Sequence, residues 1–272
     1  MTARHPKSRK PLQAVVLDWA GTAVDHGCMG PVAVFVEVFK RFDVEVTVAE
    51  ARQFMGLMKK DHIRSMLHLP RIKASWRKVH GTLPLERDVD ALYRLTEPMM
   101  VETIANHAEP IPGALDAVEQ FRGMGLKIGS CTGYTRPMMD VMVPEAARKG
   151  YTPDAIVTSS DVPRARPYPF MCYQNALMLD VYPMEAMVKI GDTLTDIQEG
   201  LNAGMWTIAV TNSGNELGLT HAEKSALSPK ELEEKTNPIK ASFLKAGAHY
   251  VVDDISQCPE ICREINLSMA SK

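Results

Sequence analysis

Residues 12–25 read LQAVVLDWAGTAVD, a short run of apolar, partly β-branched residues that ends abruptly in Asp18 and a glycine turn. The run predicts a buried strand, because a strand covered on both faces shows a continuous apolar stretch rather than alternation. Open α/β sheets bind ligands at the carboxyl ends of their strands, where crevices open and the amides of the next turn face outward. Asp18 stands at such an end. Taken alone, it reads equally well as an Asp that caps its own turn, a common use of Asp beside Gly.

Two later strand ends shift that balance. Residues 126–131, LKIGSC, run into Thr132, Gly133 and Tyr134, and residues 187–190 run into Gly191, Asp192, Thr193, Leu194, Thr195 and Asp196. Three predicted strands therefore carry Asp18, Thr132 and the pair Asp192 and Asp196 to one edge. Acidic groups brought together repel one another unless a cation neutralises them, and hard oxygen ligands suit Mg²⁺.

The remainder of the chain fits a parallel α/β sheet with a helical interruption. From residue 27 to residue 106 the pattern is helical, with no convincing strand. A helix is expected over 31–42, with Pro31 at its first position. A second is expected from Val48 toward Met55, opened by the capping box Thr47-Val48-Ala49-Glu50. Gly56 ends or bends it, and another helix starts near Lys59. Helices over 71–80 and 86–107 follow, with Pro84 and Pro98 as local breaks. After Ile111, helix and strand alternate, the signature of βαβ units. Strands are expected at 127–130, 155–158, 187–190, 207–210 and 250–252, joined by helices at 114–122, 137–149, 169–179 and 196–203. Residues 214–246 read as helical, with a second capping box at Ser228. The fold class is thus a doubly wound, Rossmann-like parallel sheet. Its discontinuous α/β core spans 1–26 and 107–272, and a helical cap spans 27–106.

Composition bounds the partners. A chain of 272 residues buries a substantial core. Its formal net charge of -2 points to neither nucleic acid nor a membrane surface. Five scattered cysteines suggest no disulfide framework, and a reducing cytoplasm suits them. Cys258 and Cys262 lack the further Cys/His pair that a zinc site requires and read as thiols. The basic stretch 1–10 has no apolar segment of the secretory kind and reads as a tail.

The joint pattern now has a resemblance. Residues 18–22, Thr132 at its strand end, Arg166, and Gly191-Asp192-Thr193 with Asp196 resemble the four motifs of the haloacid dehalogenase superfamily. Most members carry a second Asp two residues after the nucleophile, and here that place holds Ala20. That departure, with residues 55–59, MGLMK, and 132–136, TGYTR, resembles the phosphonoacetaldehyde hydrolases of the superfamily. The likeness covers nearly the whole chain beyond its first ten or so residues.

The resemblance implies a nucleophile at Asp18, attacking phosphorus to form an aspartyl-phosphate. It implies Mg²⁺ held by Asp18, the backbone carbonyl of Ala20 and Asp192, with Asp196 either orienting the ligands or ligating directly. Asp192 and Asp196 also favour the N-terminus of the following helix. Thr132 and Gly133 would hold phosphoryl oxygens, and Arg166 would neutralise the transferring group. On the residues alone Arg164 is an equal candidate, and only the motif selects Arg166. Tyr134 would shape the aldehyde pocket, Met55 would border it, and Cys28 reads as a small buried thiol.

Ala20 cannot protonate a leaving alkoxide or activate water. Either the enzyme is dead, or the leaving group is carbon and needs an electron sink, which an imine on a lysine amine supplies. Lys59 is the candidate amine. If it opens a helix, the dipole and neighbouring Lys60 disfavour its ammonium form. His62, one turn on, would relay protons. Without the family, Lys59 and Lys60 read as surface lysines. The expected reaction is carbon–phosphorus hydrolysis of the small molecule phosphonoacetaldehyde; the sequence itself does not reveal an oligomeric state, and the resemblance implies a homodimer, with the cap helices as one route of assembly. The rivals are an ester phosphatase or phosphomutase of the same superfamily and a silent phosphate-binding protein.

Overall fold

A computed structural model describes residues 11–271, so the basic stretch 1–10 lies outside the described residues. Strand β1, Ala14–Leu17, is wholly buried, as its continuous apolar run requires. Five more strands join it: β2 Lys127–Thr132, β3 Ala155–Thr158, β4 Met187–Gly191, β5 Trp206–Val210 and β6 Tyr250–Val252. All pair in parallel, in the order β3-β2-β1-β4-β5-β6. The chain builds outward from β1 to β3, then returns to the other side of β1 to lay down β4. Between β1 and β4 the winding direction reverses, and open α/β sheets form their ligand crevice at that point.

The first five helices after β1 are α1 Met29–Lys40, α2 Val48–Arg52, α3 Lys59–His68, α4 Pro70–His80 and α5 Glu86–Thr103, closed by a 3₁₀ turn at Ile104–His107. Helix α1 starts two residues before Pro31. There the Asp25 carboxylate accepts from the N–H groups of Met29 and Gly30, both at 3.1 Å, and so caps the first turn. The capping box of α2 forms as its spacing predicts, with Glu50 N donating to Thr47 Oγ1 at 3.1 Å and Thr47 N donating to Glu50 Oε2 at 2.9 Å. The helix stops at Arg52, short of Met55. Pro98 does not break α5. One backbone bond is lost there, and burial of Val89, Leu92, Thr96 and Met100, on a helix packed against α1 and α3, offsets it.

Beyond β2 follow α7 Arg136–Arg148, α8 Phe170–Leu179 and α9 Leu194–Ala203, with α6 Ala114–Gly123 preceding β2. The helical stretch at 214–246 resolves into α10 His221–Ser225 and α11 Pro229–Lys245, the latter opened by the Ser228 capping box. A last helix, α12 Cys258–Ala270, was not anticipated. Cys258 and Cys262 belong to its buried stripe with Ile265 and Met269, so their role is packing.

Candidate active site

Asp18 follows β1 and Asp192 follows β4, so the switch point sets both carboxylates at one crevice. With Asp196 they form a buried trio in which one carboxylate oxygen from each lies within 4.8 Å of the others. Asp192 is held on both oxygens. Thr22 Oγ1 donates to Oδ1 at 2.9 Å, while Asn215 N, at 2.8 Å, and the Cys28 thiol, at 3.4 Å, donate to Oδ2. Burial, then the charges of Asp18 and Asp196, push the Asp192 carboxyl well above its ordinary range. Burial likewise raises Asp18, against the pull of Arg166. A cation between them relieves that repulsion, so the all-oxygen donor set fits a hard divalent ion.

Asp196 differs. Its Oδ1 meets Arg166 at 3.0 Å and Lys189 at 2.7 Å, and its Oδ2 accepts from Thr193 Oγ1 at 2.5 Å and Thr193 N at 3.2 Å. Burial would raise it, but the two cations win and hold it below its ordinary value. Its charge is already balanced by two protein cations, an arrangement suited to orienting neighbours.

Arg166, 4 % exposed, donates through Nη2 to Asp18 Oδ1 at 2.7 Å and to the Cys131 carbonyl at 3.0 Å. Its Nε donates to Glu199 Oε2 at 2.9 Å. Arg164, the alternative from sequence, lies outside, its guanidinium over the Tyr168 ring at 5.0 Å. Lys189 and Glu199 were missed by the sequence reading. A lysine inside a strand and a glutamate inside a helix carry no signal of burial, yet both are fully buried here. Burial pushes the Glu199 carboxyl up to about 8.

Asp18, Ala20, Met55, Lys59, Thr132, Gly133, Tyr134 and Arg166 line one cavity, so the residues singled out in the core and in the helical insert converge. Lys59 is the first residue of α3 and 2 % exposed, with Nζ 4.6 Å from the Tyr134 ring centroid and 5.9 Å from that of Phe35. Its amine is lowered to about 8. The cause is burial rather than Lys60, which turns outward to ion-pair with Asp90 at 2.5 Å.

His62 stacks on Phe35, with ring centroids 4.0 Å apart. Its Nε2 lies 2.8 Å from the Ala51 carbonyl and therefore carries the proton, while Nδ1 has no hydrogen-bond partner among the described residues. Burial, then Lys59, keep it neutral by lowering it well below the ordinary imidazole value. Thr132 Oγ1 accepts from Tyr134 N at 3.1 Å.

The insert meets the sheet edge through glycines. A Cβ on Gly133 would stand 2.7 Å from the Leu57 carbonyl oxygen and 2.8 Å from that of Gly56. A Cβ on Gly56, itself at φ +89, would stand 2.4 Å from Thr195 Oγ1. Only residues without side chains permit this approach.

The chain has recognisable relatives. A family model described as haloacid dehalogenase-like hydrolase matches residues 12–204. The chain is 56 % identical over 256 residues to the phosphonoacetaldehyde hydrolase of Syntrophobacter fumaroxidans, covering 94 % of this chain and 92 % of the relative. It is 54 % identical over 260 residues to that of Nitratidesulfovibrio vulgaris, covering 96 % and 93 %. The crystal structure of a phosphonoacetaldehyde hydrolase-like protein from Oleispira antarctica superposes with a TM-score of 0.95 at 38 % identity, covering 100 % of this chain and 98 % of the other.

Proposed function

The chain belongs to the haloacid dehalogenase-like hydrolases and, among them, to the phosphonoacetaldehyde hydrolases, and we propose that it cleaves the carbon–phosphorus bond of phosphonoacetaldehyde to give acetaldehyde and phosphate. One observation carries the reading. A buried lysine amine and a buried aspartate line a single cavity whose wall at Ala20 offers no acid.

The chemistry follows from those groups. The neutral Lys59 amine adds to the aldehyde carbon and water departs, leaving an imine. The Asp18 carboxylate attacks phosphorus, and the electrons of the carbon–phosphorus bond flow into the imine to form an enamine. A proton returns to carbon, with His62 Nδ1 as its carrier, and hydrolysis of the imine frees acetaldehyde and Lys59. Water then clears the phosphoryl group from Asp18. Arg166, Thr132 and Gly133 hold the phosphoryl oxygens, and Tyr134 and Met55 bound the aldehyde. Asp18, Asp192 and the Ala20 carbonyl would hold Mg²⁺, which supplies charge neutralisation between the carboxylates and the phosphonate. Asp196, engaged by Lys189, Arg166 and Thr193, orients this set.

The proposal extends to organisation. Among the described residues, 27–106 form a cap over a core of residues 11–26 and 107–271. The cavity offers about 20 Å³, enough for little more than one water, so substrate enters when the cap swings away. The five cysteines, all free and buried, suit a cytoplasmic setting, and a homodimer is the expected assembly, to be read by light scattering.

The deciding experiment is reduction with borohydride in the presence of phosphonoacetaldehyde, followed by peptide mapping. A stable adduct on Lys59 is expected. Rapid turnover with no trapped lysine would rule out the imine route.

A further inference from the structure

A side chain of the insert reaches the edge of the sheet beside Asp192. Arg52, the last residue of α2, donates through Nη1 to the Gly27 carbonyl at 2.7 Å and to Asn215 Oδ1 at 3.2 Å, and through Nη2 to the Gly218 carbonyl at 3.2 Å. Asn215 answers, its Nδ2 donating to the Arg52 carbonyl at 3.1 Å. The backbone N–H of the same Asn215 donates to Asp192 Oδ2 at 2.8 Å. Gly218 is at φ +64, and a Cβ there would stand 2.8 Å from Arg52 Nε, so the guanidinium lies against bare backbone. Gly27 N donates to the Ser213 carbonyl at 2.8 Å. One guanidinium thereby joins three segments: the insert, the strand of chain leading into it, and the loop behind Asp192.

We propose that Arg52 is a positioning residue that couples seating of the insert to loading of the divalent metal. With the insert seated, the planar fork of Arg52 fixes Asn215, and the Asn215 N–H fixes one oxygen of Asp192 in the setting that ligates. By reciprocity, a cation bound at Asp192 favours the seated insert, bringing Lys59 to the phosphonate when the metal is present. The inference rests on the reading of Asp192 as a metal ligand. It assigns to Arg52 and Asn215 a function that neither requires for folding, since an arginine that merely packed the insert would stabilise it equally with and without metal.

The test uses the full chain and Mn²⁺ as the probe, with free Mn²⁺ followed by electron paramagnetic resonance and the Gly27 amide followed by hydrogen exchange. Arg52→Ala and Asn215→Ala are each expected to weaken Mn²⁺ binding about tenfold, the range seen when partners of metal ligands are removed. Asn215→Ala keeps the backbone N–H, so its effect isolates the tie to Arg52. The double variant is expected to be no weaker than the weaker single one, because both act through one chain of contacts. In wild type Mn²⁺ slows exchange at Gly27, and in the variants it does not. If Arg52→Ala fails to fold, Arg52→Lys keeps the charge and loses the fork, with the same expectations. Variants that bind Mn²⁺ as wild type does, or that keep metal-dependent protection at Gly27, overturn the coupling. A wild-type protein that binds no Mn²⁺ would instead overturn the assignment of Asp192, and the coupling with it.

Discussion

The backbone N–H of Asp18 donates to the carbonyl of Ile190 at 3.0 Å, two residues ahead of Asp192. It is a rung of the ladder that joins β1 to β4, with Leu17 opposite Ile190. The separation of the two carboxylates is therefore fixed by main-chain pairing. Variation can tune the groups around them without moving them apart.

Lys59 should write itself into the pH profile. Burial lowers its amine to about 8, and only the neutral form adds to an aldehyde. Below that value the amine is protonated, so kcat/KM for phosphonoacetaldehyde is expected to rise as pH climbs toward 8 and then to level. Lys59→Arg, with a cation that does not deprotonate, is expected to release no phosphate at any pH while still binding metal. A rate independent of pH between 6 and 9, or an active Arg variant, would remove Lys59 from the chemistry.

Lys189 separates stability from catalysis. Its ammonium lies 2.7 Å from Asp196 Oδ1 and 3.6 Å from Glu199 Oε2, all three side chains fully buried. Lys189→Met strips a cation from a buried network and is expected to cost about 3 kcal/mol, seen as a lowered Tm. A single variant as stable as wild type would mean that the network carries no such weight.

The extent to which sequence discloses this site follows from where each group sits. Asp18, Thr132 and Asp192 follow strands, so periodicity and turn chemistry point to them, whereas Lys59, by itself a surface lysine in the sequence, is selected only by the family resemblance. Arg166 needed a family motif, since nothing local separates it from Arg164. Lys189, Glu199, Arg52 and Asn215 were silent because their importance lies in burial and long-range pairing, which no short window contains. The lowering of Lys59 was foreseen, but its cause was misread, because Lys60 faces the acidic residues of α5. Cys258 and Cys262, weighed only as zinc ligands or as buried or surface thiols, concealed the apolar stripe of α12.

His107 offers a test at the base of the insert. Its Nδ1 lies 3.1 Å from Asp25 Oδ1, and that bond raises its pKa. A raised folded value means that the native state binds the proton more tightly. The stabilisation is fully present below the ordinary imidazole value of about 6.5 and is lost as pH rises through the raised folded one. The Tm difference between wild type and His107→Gln is expected to be widest in mild acid and to narrow toward alkaline pH. A difference that does not vary with pH would show that no ion pair is involved.

Position 20 tests the choice of leaving group. Ala20 lines the cavity beside Asp18. Ala20→Asp would crowd the phosphoryl site and add charge near the nucleophile, so it is expected to slow turnover of phosphonoacetaldehyde about tenfold or more. Any gain should appear with phosphate monoesters, whose alkoxide needs a proton. The measurement is the ratio of the two activities in both proteins at equal Mg²⁺. Unchanged or faster phosphonoacetaldehyde turnover would deny that Ala20 is fitted to a carbon leaving group.

The bare backbone seam at Gly133 gives the molecule a gauge with almost no tolerance. A methyl group there would be a shim, 2.7 Å from the carbonyl oxygen of Leu57, wedging the insert and its Lys59 off the strand ends while leaving every reacting side chain chemically unaltered. Since a misplacement of about 1 Å can cost about a hundredfold in rate, one carbon atom at this seam would hold nucleophile and amine out of step. Gly133→Ala would thus furnish an arrested form of the enzyme, chemically intact and mechanically disengaged.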